Sequence, residues 1–405
     1  MPNRLTQFIL MALVLGGAVG WVVHTQYPQG ATVFAADAAL LPFIFLRLIK
    51  MVIAPLVFST LCVGIGKMGD VATVGRVGSK ALAWFFLASW ISLTLGLGLV
   101  NTLQPGRVLH LSLPAVGTSA GVPTAGLSLV GFIEHTVPSS VVDAMARNEI
   151  LQIVVFTLFF GTAMAALADR SRPVTESLEV LAELMLKVTT YVMRFAPLAV
   201  FGALASTVAE RGLGVLAVYG LFVGEFYLGL LVLWVVLLGG VSLVIRLRVV
   251  TLLRRIREPL LLAFSTASSE AAYPKTLEEL EHFGCSKRVA SFVLPMGYSF
   301  NLDGSMMYCT FAVMFIAQAY GIELTLAEQF LMLATLMLTS KGIAGVPRAS
   351  LVVIAATLAQ FKIPEAGLLL LLGIDHFLDM GRSATNVIGN SVATVLVSHW
   401  EGELK

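Results

Sequence analysis

Charged residues are scarce in this chain: Asp, Glu, Lys and Arg make up 12% of its 405 residues, against 58% hydrophobic residues. A composition this apolar excludes an ordinary soluble protein and is typical of a polypeptide that crosses a membrane several times. The formal net charge is only +2 and no basic cluster is present. The sequence therefore gives no sign of a nucleic-acid partner.

Cysteine is scarce as well. The three cysteines, Cys62, Cys285 and Cys309, are odd in number and lie mostly in apolar runs, which predicts packing roles and neither a disulfide framework nor a metal site. The six histidines are scattered and never form the His-Glu-x-x-His pattern of metalloproteases. The Gly-x-Gly-Asp signature of intramembrane aspartyl proteases is also missing. We therefore expect no enzyme activity, no metal and no cofactor.

Six apolar segments precede residue 250, and basic residues mark every second connection between them. Because loops rich in Lys and Arg stay on the cytoplasmic side, this alternation predicts a multi-pass protein of the cell (inner) membrane with cytoplasmic termini. The segments lie near 7–24, 39–66, 81–103, 126–169, 176–209 and 214–247.

Two later segments break the alternation. Residues 260–273 are short and polar and have basic residues on both sides, whereas 326–361 are interrupted by a Gly/Pro-rich tip at 339–348. Irregular backbone at membrane depth is tolerated only where it is buried in protein or lines a cavity. Both segments are therefore predicted to be re-entrant hairpins, near 251–285 and 324–363.

The last apolar stretch, 368–397, carries a polar stripe. On one continuous helix its polar residues fall within an arc of roughly 100°. A charged group at bilayer depth costs at least ~2.5–3.5 kcal/mol, so this stripe must face protein, ligand or water. The stripe predicts a binding site, although an ion pair that merely joins helices is the alternative. Its members are Asp375, Asp379, Arg382, Ser383, Asn386 and Asn390.

Four motifs occur in order along 263–400. They are Ser-Thr-Ala-Ser-Ser-Glu at 265–270, Asn-Leu-Asp-Gly at 301–304, the Gly-to-Pro tip at 342–347, and Asp-Met-Gly-Arg-Ser-Ala-Thr-Asn at 379–386. With these motifs the chain resembles the dicarboxylate/amino acid:cation symporter family, which includes the glutamate and aspartate transporters. It looks like a bacterial, proton-coupled member of that family.

The resemblance implies an all-α polytopic membrane protein with a glutamate-transporter-like fold. Such a fold has eight transmembrane helices plus two re-entrant helical hairpins, arranged as inverted repeats around a site at the midplane. It further implies a homotrimer with an elevator mechanism. Residues 1–77 and 109–213 would form the static scaffold and trimerisation domain. Residues 78–108 and 214–405 would form the moving transport domain.

The resemblance also assigns roles to individual residues. Asp379 would pair the amino group of the substrate, Arg382 its side-chain carboxylate, and Asn386 with the backbone around Ser269 its α-carboxylate. Asp375 would orient Arg382. Some of the serines could instead bond to their own helices. The further candidates for substrate contact are Ser268, Ser305, Val346, Ser350 and Ser383.

The substrate class follows from Asp379, because family members that carry plain C4-dicarboxylates tend to lack an aspartate there. The expected function is thus import of an acidic amino acid, L-aspartate or L-glutamate, by proton symport. The alternative is a sodium-coupled carrier of an acidic amino acid or a C4-dicarboxylate. A channel would also line a pore with polar residues, but paired hairpin tips favour alternating access.

The coupling ion follows from departures from the sodium-driven pattern. This chain has Asn390 where sodium-driven members have an aspartate, Ala88 where they have a hydroxyl, and Lys341 where they have an apolar residue. Sodium needs oxygen ligands, so we expect protons to replace it. The expected proton carrier is Glu270, with Asp303 as the alternative.

Three further residues complete the expected coupling region. Asn301 lies in the same helix break as Asp303. Lys341 either stands in for a bound cation or extends to the membrane surface. Arg348 either compensates for a positive charge missing near Asp379 or is an exposed tip residue.

Overall fold

The computed structural model describes residues 4–66, 71–108, 113–114, 133–134, 136–212, 214–340 and 349–405. The regular elements in these ranges are helices, and the one strand-like pairing among them is an isolated bridge between Cys285 and Leu404. The helices of the first half are α1 (Arg4–Gln26), α2 (Ala31–Gly66), α3 (Val71–Leu103), α4 (Pro105–Val108), α5 (Val141–Arg147), α6 (Ile150–Leu167), α7 (Arg172–Val192), α8 (Ala196–Arg211) and α9 (Gly214–Ile245).

The second half is built from shorter helices that are interrupted by turns. Many of these interruptions fall at the motifs that suggested a membrane-depth site. The helices are α10 (Arg248–Thr266), α11 (Tyr273–Phe283), α12 (Lys287–Phe300), α13 (Asp303–Ala319), α14 (Leu326–Thr339), α15 (Ala349–Gln360), α16 (Leu368–Leu372) and α17 (Asp375–Trp400).

Seven helical segments of the described chain are long and apolar enough to cross a membrane. They confirm the prediction of an all-α polytopic membrane protein. Six lie before residue 250, and the seventh comprises α12 and α13. The predicted eighth span, α17, is 26 residues long but is not among the seven, since its polar stripe makes it less apolar.

The first predicted hairpin is a helical hairpin. Its first arm, α10, ends at Thr266, and Ala267 turns the chain in the left-handed conformation with φ 50°. The second arm, α11, begins after a short 3₁₀ turn and has Pro274 in its first turn, where the missing N–H costs nothing. The arms α14 and α15 of the second hairpin are also helical, but its tip at 341–348 lies outside the described residues.

The predicted interruption at 301–304 is confirmed. Helix α12 ends at Phe300 and α13 begins at Asp303, so the two form one broken span. The prediction of one continuous helix over 368–397 was wrong. The helix breaks at Gly373 and Ile374, and the side chain of Arg211 satisfies carbonyls exposed by the break.

The described helices pack in two groups. In the first group α1, α2, α6, α7 and α8 lie against one another, and Gly16 and Gly20 let α1 approach the backbone of α8 closely. A Cβ on Gly16 would stand 2.5 Å from the carbonyl oxygen of Phe201. In the second group α3, α9, α10, α12 and α13 surround α17. The polar stripe of α17 is therefore buried among helices.

Candidate functional site

The centre of the candidate site is the guanidinium of Arg382 on α17. Its side chain is only 3% exposed, and Nη2 lies 2.9 Å from Oδ1 of Asp379 and 3.6 Å from Oδ1 of Asp375. Nε and Nη1 are buried and have no hydrogen-bond partner among the described residues. Buried donors are almost always paired. A guanidinium with two spare donors is thus a ready receptor for a carboxylate.

Tyr308 of α13 fixes the orientation of that guanidinium. The Cζ atom of Arg382 lies 4.2 Å from the centre of the Tyr308 ring, a cation–π contact. The Tyr308 hydroxyl donates a hydrogen bond of 3.1 Å to Oδ1 of Asp375. Asp375 therefore contacts both Arg382 and Tyr308, as its predicted orienting role requires. Tyr308 is not among the residues predicted from the sequence, although it is a polar aromatic residue on the helix that follows the 301–304 break.

Asp379 differs from its two charged neighbours in being accessible. Its side chain is 34% exposed, whereas that of Asp375 is 7% exposed. The Ser383 hydroxyl donates to Oδ1 of Asp379 at 3.5 Å, one helical turn away. A carboxylate that is both accessible and paired with Arg382 can meet a ligand that enters the site.

The helix break at 301–304 brings the start of α13 against α17. The backbone N–H of Gly304 donates to Oδ1 of Asn386 at 2.9 Å, and Nδ2 of Asn386 donates to the Ser305 hydroxyl at 3.4 Å. Only glycine fits at 304, since a Cβ there would stand 2.5 Å from the carbonyl oxygen of Arg382. The structure thus brings the predicted residues Ser305, Asn386 and Arg382 together, beside a helix N-terminus whose dipole favours anions.

A second polar cluster surrounds Asp303. Nδ2 of Asn301 donates to Oδ2 of Asp303 at 3.1 Å and to Oδ1 of Asn390 at 3.3 Å. All three side chains are fully buried or nearly so. The predicted coupling residues Asn301, Asp303 and Asn390 therefore form one cluster, in which an amide donor bridges the oxygens that a cation would need.

The first hairpin tip carries the candidates Ser268, Ser269 and Glu270. The hydroxyl of Ser268 accepts a hydrogen bond of 3.3 Å from the backbone of Ala271, and Ser269 is buried. Glu270 is half-buried, and among the described residues Lys50 of α2 and Glu149 before α6 are charged side chains near enough to act on it. Glu270 is thus influenced by charges of the first helix group.

Of the site candidates in the second hairpin, only Ser350 lies within the described residues. The carbonyl oxygen of Ser350 lies 3.9 Å from the Cys309 thiol, next to Tyr308. The candidates Lys341, Val346 and Arg348 lie outside the described residues. Within the described chain no group of three or more His, Cys, Asp or Glu side chains could hold a metal ion.

Known proteins resemble the chain along nearly its whole length. A sequence profile of the sodium:dicarboxylate symporter family matches residues 5–400. The C4-dicarboxylate transport protein of Geobacter sp. is 43% identical over 366 residues, which cover 89% of this chain and 83% of the relative. The protein of the same name from Cupriavidus taiwanensis is 44% identical over 365 residues, covering 89% and 84%.

A third relative aligns over the full chain. The C4-dicarboxylate transport protein of Brucella anthropi is 41% identical over 410 residues, which cover 100% of this chain and 91% of the relative. Matches of this extent point to a transport protein rather than an enzyme. The chain, with its broken helices and buried arginine, belongs to the sodium:dicarboxylate symporter family.

Proposed function

We propose that the protein is a secondary symporter that imports C4-dicarboxylates together with cations. The observation that carries this proposal is the buried guanidinium of Arg382, whose Nε and Nη1 have no partner among the described residues. A substrate carboxylate would supply that partner. The names of the relatives from Geobacter sp. and Brucella anthropi support the same substrate class.

The charges of the site support coupling to cations. Asp375 and Asp379 together outweigh Arg382, so the site carries a net negative charge before substrate enters. A dicarboxylate adds further negative charge in a poorly solvated place, where unpaired charge is costly. Uptake of cations with the substrate removes this cost.

An acidic amino acid is the second candidate substrate, and Asp379 is the observation that favours it. Its carboxylate is 34% exposed beside the buried Arg382. A ligand ammonium could pair with it while a ligand carboxylate binds the guanidinium. L-aspartate has both groups and is itself a four-carbon diacid, so the two candidates share the Arg382 contact.

We further propose that the coupling cation is the proton. Asp303 is the one carboxylate in its cluster with Asn301 and Asn390, so this cluster offers fewer anionic oxygens than a metal cation prefers. Glu270 is the first candidate for the carrier, with Asp303 as the alternative. Sodium is the rival cation.

We also propose an elevator mechanism in a homotrimer of the cell inner membrane, with cytoplasmic termini. Residues 1–77 and 109–213 would remain static, while 78–108 and 214–405 would move. The two packing groups of helices support this division. So do the ion pairs Lys80–Glu401 and Arg107–Glu323, which join residues 78–108 to the rest of the second group.

Uptake into liposomes tests these proposals together. Purified protein is supplied with labelled succinate, L-aspartate or L-glutamate under an imposed proton or sodium gradient, with gradient-free liposomes as the control. We expect succinate to accumulate under an inward proton gradient. Accumulation of aspartate without succinate would favour the second candidate, and dependence on sodium would reject proton coupling. If none accumulates under either gradient, symport of this class is wrong.

The variant Glu270→Gln tests the proton carrier in the same liposomes. Without a titratable group at 270, net uptake driven by the proton gradient should cease, while exchange of internal for external substrate should continue. Concentrative uptake at the wild-type level would reject Glu270 and leave Asp303 as the candidate.

A further inference from the structure

The break between α16 and α17 exposes backbone carbonyl oxygens close to the candidate site. Helix α16 ends at Leu372, α17 begins at Asp375, and the carbonyls of Leu372 and Gly373 lie at the break. Nη1 of Arg211 donates to both carbonyl oxygens, at 3.0 and 2.6 Å. A cationic donor at the end of a helix is favourable because the carbonyls there carry partial negative charge.

The position of this break affects the candidate site directly. Asp375 is the first residue of α17 and contacts both Tyr308 and Arg382. Arg211 is hydrogen-bonded to the carbonyl oxygen of Gly373, only two residues before Asp375. It therefore helps to set where Asp375 stands, without touching the site itself.

Arg211 does not belong to the helix group that it contacts. It is the last residue of α8, which packs on α1 and α2, whereas α17 lies at the centre of the second group. Part of the surface between the groups is apolar, with Ala203 and Leu204 of α8 packed against Met380 of α17. Apolar contacts have little directional preference, but hydrogen bonds to two specified carbonyls hold one register.

We propose that Arg211 is a latch that holds the start of α17 against α8 in the observed conformation and releases it in each transport cycle. This inference rests on the relative movement of the two helix groups proposed above. If α17 moves along α8 with its group, the bonds from Arg211 to Leu372 and Gly373 must break. Their strength then sets how long the observed conformation persists.

A chemical bridge at the latch tests the inference. The cysteines introduced by Arg211→Cys and Gly373→Cys are joined by a short bis-methanethiosulfonate crosslinker, which forms a reducible disulfide with each thiol and has about the reach of an arginine side chain. The position is suitable because Gly373 is exposed with φ −65°, and the native cysteines Cys62, Cys285 and Cys309 are buried. We expect the bridged protein to bind labelled succinate but not to transport it, and a reductant to restore transport.

A matched pair inside the second group provides the control. Arg107 and Glu323 form an exposed ion pair of 2.6 Å between α4 and the connection from α13 to α14. A bridge between cysteines at these two positions should leave transport unchanged. If the bridged 211/373 protein transports succinate as fast as its unbridged form, the latch is refuted. Failure of the proposed function would instead appear as lack of uptake by the unmodified protein, before any bridge forms.

Single substitutions give an independent measurement should the double variant fold poorly. Arg211→Met removes the donors, while Arg211→Lys keeps a cation of similar length. We expect the turnover of succinate to change several-fold in Arg211→Met and less in Arg211→Lys. Wild-type turnover in Arg211→Met would refute the latch.

Discussion

At the scale of single residues, Arg382 is held from several directions and still keeps free donors. Asp379 and Asp375 lie near Nη2, and the Tyr308 ring covers the guanidinium. Arginine suits this place because its planar group can stack on an aromatic ring while it binds carboxylates. Lysine could provide the charge but not the shape.

The Tyr308 contacts predict a graded response to substitution. Tyr308→Phe removes the hydroxyl bond to Asp375 and should raise the KM for succinate modestly, as expected from about 1 kcal/mol. Tyr308→Leu also removes the ring and should raise KM further, since a cation–π contact in a desolvated site contributes about 2 kcal/mol. Initial uptake rates over a range of succinate concentrations measure both. Equal KM values in wild type and Tyr308→Leu would show that the ring does not orient Arg382.

Asp379 decides between the two candidate substrates. Asp379→Asn removes a negative charge beside Arg382, which should preserve or strengthen succinate uptake and leave any aspartate ammonium without its partner. Competition of unlabelled aspartate against labelled succinate measures the preference. Asp143→Asn is the control, because Asp143 is exposed, lies far from Asp379 along the chain and pairs with Arg147 on its own helix. Loss of succinate uptake in Asp379→Asn alone would contradict the C4-dicarboxylate assignment.

At the scale of elements, close backbone approach shapes the two polar clusters. Helix α17 reaches the Asp303 cluster because Gly389 has no side chain, and a Cβ there would overlap the Asp303 carboxylate. Glycine costs up to about 1 kcal/mol relative to alanine inside a helix. Its presence at 389 thus makes room for Asp303.

This contact predicts the effect of adding one methyl group. Gly389→Ala should displace Asp303 and weaken gradient-driven uptake strongly, while Gly98→Ala should be neutral or slightly stabilising, because a Cβ at Gly98 has no neighbour within 4 Å. Uptake under the proton gradient, compared with exchange without a gradient, is the measurement. Normal coupling in Gly389→Ala would mean that the Asp303 cluster plays no part in coupling.

Sequence patterns predicted some elements and not others, for local reasons. The break at 301–304 was predictable because Asn, Asp and Gly interrupt helices locally. The break before α17 was not, since Leu368–Leu372 followed by Gly-Ile continues the apolar pattern, and the carbonyls are satisfied by the distant Arg211. Tyr308 was missed for a similar reason, as its contacts with Asp375 and Arg382 depend on tertiary packing.

At the scale of the whole molecule, the residues after α17 join three separated parts of the chain. The Glu401 carboxylate forms ion pairs with Arg76 and Lys80 near the start of α3, at 3.0 and 2.6 Å. Glu403 pairs with Arg288 at the start of α12. Arg248, at the start of α10, donates to the carbonyl of Lys405 at 2.5 Å. These contacts hold one end of the second helix group together.

Glu401 makes the stability of that end of the molecule depend on pH. Its partial burial opposes ionisation, but the bonds from Arg76 and Lys80 outweigh this effect and lower the pKa of the Glu401 carboxyl. The pKa of Glu401 is lower in the folded than in the unfolded protein. Its contribution to the free energy of unfolding is therefore complete above the ordinary glutamate pKa of about 4.3. The contribution is lost as the pH falls through the lowered value.

Glu401→Gln should therefore lower the free energy of unfolding by on the order of 1 kcal/mol at neutral pH, with the difference vanishing in acid. Thermal unfolding in detergent between neutral and acidic pH measures this difference. Glu323→Gln removes one partner of an exposed ion pair; it is the control and should change little. A constant difference at all pH values would reject the ion-pair explanation.

The role of Arg382 is tested most directly by the binding of succinate to purified wild type, Arg382→Lys and Arg382→Met. Calorimetry measures the binding, and thermal unfolding of each protein shows whether it is folded. Arg107→Lys, an exposed arginine outside the site, is the control. We predict that Arg107→Lys binds normally, that Arg382→Lys binds at least ten-fold more weakly, as expected when a bidentate contact is lost, and that Arg382→Met does not bind. Wild-type affinity in a folded Arg382→Met protein would contradict the central claim that this guanidinium receives the substrate carboxylate.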